Sequence, residues 1–84
     1  GYEARMKAQY DAEAKLQIAA LDQMSMTEEE YENKVFEIKR AALEQTKGLY
    51  KEGTKEYSQQ VAAIATLETN HQTKLLSIQK KSIM

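Results

Sequence analysis

The sequence predicts an all-α protein, built as an antiparallel helical hairpin or coiled coil with a long second helix. Three observations support this prediction: the composition, the spacing of the apolar residues, and one strong signal for a helix start. The 84 residues include no proline and only three glycines, and these two residue types disfavour a helix most. Valine, which favours strands, occurs only at Val35 and Val61. We therefore expect long helices and no sheet.

The first helix is predicted over about residues 2–24. When successive residues are placed about 100° apart, as on an α-helix, apolar side chains fall on one face and most charged side chains fall away from it. This pattern is typical of an amphipathic helix that packs against another element. The apolar face contains Tyr2, Met6, Tyr10, Ala14, Leu21 and Met24.

Residues 25–27 are predicted to form a turn, and the second helix is predicted to begin at about residue 28. Thr27 and Glu30 have the spacing of a capping box, in which each side chain accepts a hydrogen bond from the other residue's amide. Met26 and Tyr31 lie on either side, where a hydrophobic staple is expected. The acidic first turn also suits the positive end of the helix dipole. A connection this short predicts that the second helix runs antiparallel to the first.

The second helix is predicted over about residues 28–82, with a possible break at residues 48–53 that would give a three-helix bundle. Gly48 is suited to end a helix and Thr54 to begin the next. A continuous helix would instead tolerate each glycine at about 1 kcal/mol. We favour the continuous helix, because one set of residues repeats every seven positions through both glycines. This heptad set is Phe36, Leu43, Tyr50, Tyr57, Ile64, His71 and Ile78.

The far half of that long helix would expose apolar residues that need a cover. These apolar residues are spaced alternately four and three positions apart, as in the seam of a coiled coil. We expect another copy of the chain to pack against them. His71, the single histidine, is interpreted as a polar residue of this seam that sets register. The predicted packing and oligomer seam is Tyr57, Val61, Ile64, His71, Leu75 and Ile78.

Charge and composition argue against most other classes of function. The 12 basic and 13 acidic residues give a net charge of −1, so no nucleic acid or anionic membrane surface is expected as a partner. No apolar run approaches the roughly 20 residues of a membrane span. With no cysteine and one histidine, we expect no metal, no cofactor, no small-molecule substrate and no enzymatic activity.

Residues 21–38, with the sequence LDQMSMTEEEYENKVFEI, resemble the helix–turn–helix joints in tape measure proteins of tailed phages and prophages. In those joints an apolar residue, Ser or Thr, acidic residues, an aromatic residue and then a lysine mark the turn between coiled-coil segments. The resemblance implies a structural role in a phage tail, with several copies running together inside the tail tube. Short C-terminal oligomerisation hairpins of many bacterial proteins have a similar joint.

Taken together, residues 1–84 are expected to form a single helical segment of a longer protein. The leading hypothesis is a non-enzymatic scaffold or spacer that self-associates, or that packs on flanking segments of its parent. A chain of this size alone is usually of marginal stability. The alternative is a small three-helix module that binds a different protein and has a break near residues 48–53. We expect a soluble protein, in the cytoplasm or in the virion if the resemblance holds.

Overall fold

The structure, a computed structural model, describes residues 1–83, with side chains through residue 81. It contains three helices, α1 (Tyr2–Leu21), α2 (Glu28–Lys47) and α3 (Lys55–Ile83), and no strand within the described residues. The predicted all-α class and the antiparallel packing of neighbouring helices are confirmed. Residue 84 lies outside the described part of the chain.

Helix α1 ends at Leu21, three residues earlier than predicted. The amides of Asp22, Gln23 and Met24 donate to carbonyl oxygens three residues back, at 3.0–3.2 Å, and so tighten the end of the helix into turns. Leu21 is buried, whereas Met24 is 59% exposed. The apolar face therefore stops contributing buried area at Leu21, and continuing the helix would bury nothing more.

The predicted capping box begins α2. The amide of Glu30 donates to Oγ1 of Thr27 at 3.1 Å, and the amide of Thr27 donates to Oε1 of Glu30 at 3.2 Å. Two amides that the helix leaves without an internal partner are thereby satisfied. Met26 and Tyr31 are half-buried beside the cap, and the Tyr31 hydroxyl donates to Oδ1 of Asp22 at 3.2 Å. These contacts fix the turn that joins α1 to α2.

The continuous second helix is wrong, and the three-helix alternative is what the chain adopts. Helix α2 ends at Lys47 and α3 begins at Lys55. Gly48 keeps a helical backbone with φ −64°, whereas Gly53 has φ +91°, a conformation that side chains with a Cβ rarely adopt. The reversal of the chain therefore depends on Gly53 more than on Gly48.

Thr54 provides the start of α3. Its Oγ1 accepts a hydrogen bond from the amide of Tyr57 at 3.2 Å and donates to the carbonyl of Lys51 at 2.7 Å. A threonine hydroxyl bonded to the third amide of a helix is an N-cap even without a glutamate partner. Thr54 therefore begins α3 although residue 57 is a tyrosine and cannot complete a capping box.

The heptad set remains buried although the helix breaks, because its residues on α2 and on α3 pack against each other. All seven of its residues are buried or half-buried. Helix α3 runs antiparallel to α2, since Arg40 lies near Glu68 and Glu32 near His71. The stripes of the set on the two helices face each other, because Phe36 of one stacks on His71 of the other. The repeat therefore marks the contact between α2 and α3 within one chain, and not a single long rod.

The three helices lie in one open layer with α2 in the middle. In residues 1–83, α2 packs against both neighbours, whereas α1 and α3 have no Cα atoms within 8 Å of each other. The Cα atoms extend over 49 × 27 × 11 Å. Three helices in a row are expected to be roughly 21–25 Å wide, and a closed triangle only roughly 13–15 Å. The width of 27 Å therefore fits a row, with one face of α2 left uncovered between its neighbours.

Candidate protein interface

The core of this layer is thin. Among residues 1–81, the apolar residues that are more than nine-tenths buried are Leu21, Ala42, Ile64 and Ile78. Several large apolar side chains are instead more than two-fifths exposed: Tyr2, Leu16, Met24, Val61 and Leu76. Burial of apolar area is the main force that stabilises a fold. The layer thus leaves unburied much of the apolar area that could stabilise it.

The contact between α2 and α3 is polar at its centre. Nδ1 of His71 lies 2.9 Å from Oε2 of Glu32, and the two side chains are only 7% and 16% exposed. A carboxylate can only accept a hydrogen bond, so Nδ1 carries the hydrogen. The imidazole also stacks on Phe36, with ring centroids 3.9 Å apart and planes 6° apart. Nδ1 and Oε2 therefore satisfy each other, as buried polar atoms require.

Two further polar side chains are buried near the end of α2 and the start of α3. Thr46 is 1% exposed, and its hydroxyl donates to the carbonyl of Ala42 at 2.9 Å. Gln60 is 9% exposed, and its Oε1 has no hydrogen-bond partner among the described residues. A buried carbonyl oxygen left unpaired costs stability. The pairing of α2 and α3 thus includes polar contacts that stabilise less than an apolar core would.

Exposed charged groups add contacts at the end of α2. Nζ of Lys47 lies 3.0 Å from Oε2 of Glu44 and 6.0 Å from the ring centroid of Tyr57 on α3. The hydrogen bond to Glu44 raises the pKa of Lys47, while desolvation opposes this shift. The charged form of the lysine is therefore favoured. Partly exposed pairs of this kind contribute little to stability.

Tyr31 links the two helices of the first hairpin through one polar contact. Desolvation raises the pKa of its phenol above the ordinary value of 10.0, and the hydrogen bond and negative charge of Asp22 raise it further. Each cause disfavours the phenolate, because an anion beside a carboxylate is both desolvated and repelled. The hydroxyl therefore remains a hydrogen-bond donor at neutral pH.

The seam predicted on α3 faces α2 of the same chain over most of its length. Its most buried members already have partners inside the molecule, so they are not a free surface in a single chain. A role of this seam in an oligomer stays a prediction. The seam contains buried Ile64, His71 and Ile78, half-buried Tyr57 and Leu75, and Val61, which is 46% exposed.

An open groove of about 430 Å³ crosses all three helices on the uncovered face of α2. Each helix contributes one alanine and one larger aliphatic side chain to its floor, and none of these six residues is fully exposed. Five exposed polar residues form the rim. The floor is Ala14, Ile18, Ala42, Leu43, Ala63 and Leu67, and the rim is Asp11, Lys15, Lys39, Thr66 and Asn70.

An apolar floor inside a polar rim is the usual anatomy of a protein interface. The sequence argument missed this groove, because it followed the stripe on α3 and treated the second half of the chain as one rod. The signal that could have found it is the three alanines, Ala14, Ala42 and Ala63, one on each helix. Small residues at corresponding levels of neighbouring helices leave room for another helix.

The part of the chain that the structure describes contains neither a cluster of metal ligands nor a helix that could span a membrane. Over the described part of the chain, no three His, Cys, Asp or Glu side chains come together to hold a metal ion. None of the helices, as far as residue 83, is long and apolar enough to cross a membrane.

No protein-family model, no curated protein and no solved structure matches this chain.

Proposed function

We propose that this chain is a non-enzymatic structural segment that acts by associating with further copies of itself. The observation that carries the proposal is the open layer, in which α1 and α3 flank α2 without contacting each other and leave a groove between them. A closed three-helix bundle would have filled that groove within one chain. An open layer needs a partner to bury it.

The solvent-exposed area of the chain is larger than that of a compact monomer of the same mass, which supports this proposal. The chain exposes 6209 Å², whereas a compact monomer of its mass, 9.6 kDa, would expose about 5,100 Å². The excess is about 1,100 Å². A stable interface buries about 800 Å² on each partner. One ordinary interface would therefore bring the exposed area of this chain close to that of a compact protein.

The test is the mass of the protein in solution as a function of concentration. Light scattering coupled to size exclusion, or sedimentation equilibrium, is expected to give at least twice the chain mass of 9.6 kDa as concentration rises. Circular dichroism should show helix content rising with it, because association stabilises the folded state by mass action. A folded chain that stays monomeric at every concentration would contradict the proposal.

The biological setting that we propose is the helical region of a phage tail tape measure protein. The support is the resemblance of residues 21–38 to the joints of those proteins, together with the capping box that forms the turn. The setting is tested by the genes on either side of the coding sequence. Tail tube and tail assembly genes are expected there, and a neighbourhood without any tail gene would contradict it.

A second candidate function is a small module that binds a different protein. The break between Lys47 and Lys55 favours it, because a fold-back of α3 was the feature expected of such a module. In that case the chain alone would stay monomeric and folded, and α2 would still have a bare face. The mass measurement above separates the two candidates.

A further inference from the structure

We propose that the groove is the surface through which two copies of this chain associate, across a two-fold axis. The inference rests on the self-association proposed above and names the face that carries it. A two-fold contact brings the same surface of both copies together, so that surface must be complementary to itself in shape, polarity and charge.

The shape of the groove suits a helix of a second layer. Ala14, Ala42 and Ala63 leave space along the floor, while Ile18, Leu43 and Leu67 supply apolar contact area. Two layers that face each other and are shifted by one helix width place an outer helix of each copy in the groove of the other. This is how the ridges of packed helices fill the grooves of their neighbours.

The groove has the arrangement of polar and apolar residues that is expected of a contact between two copies. Every rim residue is exposed and polar, and every floor residue is apolar and at least half-buried. The floor also holds no polar side chain that a partner would have to satisfy. Burying the floor therefore removes apolar surface from water, and it leaves no polar side chain of the floor without a hydrogen-bond partner.

The charge of the rim is what favours a second copy over a strongly charged partner. The rim contains one acid, Asp11, and two bases, Lys15 and Lys39. Asp11 is already 3.7 Å from Lys7 in the same helix, but half of its side chain remains exposed. A rim with both signs can place the acid of one copy near a base of the other, whereas a rim of one sign would repel its own copy.

The test reverses one rim charge and then restores the balance. If Asp11 of one copy pairs with Lys39 of the other, Lys39→Glu is expected to raise the dimer dissociation constant roughly tenfold or more, because Asp11 of each copy would then face an acid of the other. The double variant Asp11→Lys with Lys39→Glu exchanges the two signs and is expected to return the constant to near the wild-type value. Lys34→Glu is the matched control. It reverses a lysine of the same helix about 140° away, outside the groove, and should leave association unchanged.

A second variant blocks the groove by size. Thr66 is exposed on the rim, so Thr66→Arg should leave the fold intact and prevent a helix from entering. Gln72→Arg is its control. Gln72 is exposed, does not line the groove and lies about 120° around α3 from Thr66. Circular dichroism of each variant, compared with that of the wild type at the same low concentration where both are monomeric, verifies that the substitution itself does not disrupt the helices.

The outcomes separate the groove from self-association in general. Loss of the dimer with Lys39→Glu and Thr66→Arg, and its recovery in the charge exchange, supports the groove. A wild type that dimerises, with groove variants that dimerise equally well, overturns the groove and leaves the proposed self-association standing. A folded wild type that stays monomeric overturns both. Lys39→Glu and Thr66→Arg could also weaken association while the charge exchange fails to restore it. That result would overturn the two-fold pairing of the rims.

Discussion

Nδ1 of His71 lies 2.9 Å from Oε2 of Glu32, and this contact joins α3 to α2 across 39 positions of sequence. Phe36 stacks on the imidazole, with its ring centroid 3.9 Å away. The pair is largely excluded from water, so each group depends on the other for its hydrogen bond. The contact therefore fixes which turn of α3 faces which turn of α2.

Glu32→Ala is expected to destabilise the protein by about 1–3 kcal/mol, because the buried N–H of His71 loses its acceptor. The measurement is the urea midpoint at one protein concentration, since association would otherwise shift it. Arg40→Ala is the control. It removes the pair of Arg40 with Glu68, which lies across the same two helices at 4.0 Å and is half exposed, and should cost less than about 1 kcal/mol.

Replacing Glu32 and His71 together tests whether the unpaired N–H explains the loss of stability in Glu32→Ala. Glu32→Leu combined with His71→Leu removes the acceptor and the donor together, so neither is left unpaired. This double variant is expected to be more stable than Glu32→Ala. If the double variant is the less stable of the two, the hydrogen bond is not what makes Glu32 important.

The two glycines of the second connection should respond in opposite directions to alanine. Gly53→Ala is expected to cost about 1–2 kcal/mol, because φ is +91° and a Cβ is unfavourable there. A Cβ at this position would meet no atom within 4 Å, so the cost is purely one of conformation. Thermal unfolding of the single variants measures the difference.

Gly48→Ala is the matched control for that experiment. Its φ of −64° suits alanine, and a Cβ would make ordinary contacts with the carbonyl oxygens of Gln45 and Glu44 at 3.4 and 3.7 Å. We expect Gly48→Ala to stabilise by about 0.4–1 kcal/mol. Equal losses at both glycines would contradict the positive φ at Gly53 and the reversal of the chain there.

Thr27→Ala is expected to destabilise the chain by about 1 kcal/mol, because the amide of Glu30 loses its hydrogen-bond acceptor. Chemical unfolding, followed by the helical signal, measures the change. Ser25→Ala removes a hydroxyl from the same connection that caps no helix, and it should have a smaller effect. If both variants behave alike, the capping box does not determine where α2 begins.

Alkaline pH is expected to weaken the contact between Tyr31 and Asp22. The pKa of Tyr31 is raised in the folded chain above its ordinary value of 10.0, so this contact stabilises the folded state fully below that value. The contribution is lost as pH rises through the raised pKa. We expect the urea midpoint of the wild type to fall further between pH 8 and pH 11 than that of Tyr31→Phe.

Tyr2→Phe is the control for this titration, because Tyr2 is 59% exposed and lies far along α1 from the turn. Its variant should lose stability at high pH as the wild type does. A wild type and a Tyr31→Phe variant with the same alkaline loss would show that the hydrogen bond to Asp22 does not stabilise the fold.

The local features of the fold could be predicted from the sequence, because they depend on residues close together in the chain. The capping box of Thr27 and Glu30 is one such feature, since three positions of spacing determine it. The break after Lys47 was misjudged for a related reason. The heptad set stays in phase through the break, and its spacing alone does not distinguish a rod from a chain that folds back on its own stripe.

Features that depend on the register between helices could not be predicted in this way. Glu32 was not singled out, because nothing near it in sequence identifies His71 as its partner. The groove depends on α1 remaining apart from α3, which is a matter of how the layer closes. Periodicity identifies the face that a helix buries, but not how many neighbours will cover that face.

The most direct test of the central claim uses one spin label per chain. The protein has no cysteine, so Thr73→Cys and Lys34→Cys each introduce one attachment site. Thr73 is exposed and lies two turns along α3 from Thr66 on the same face, beyond the groove lining, so a label there does not block the groove, and Lys34 lies away from the groove. Dipolar spectroscopy then reports only distances between copies. We predict a defined distance for the label at residue 73 and a longer one at residue 34. No dipolar signal from either label, or a shorter distance at residue 34, would contradict association through the groove.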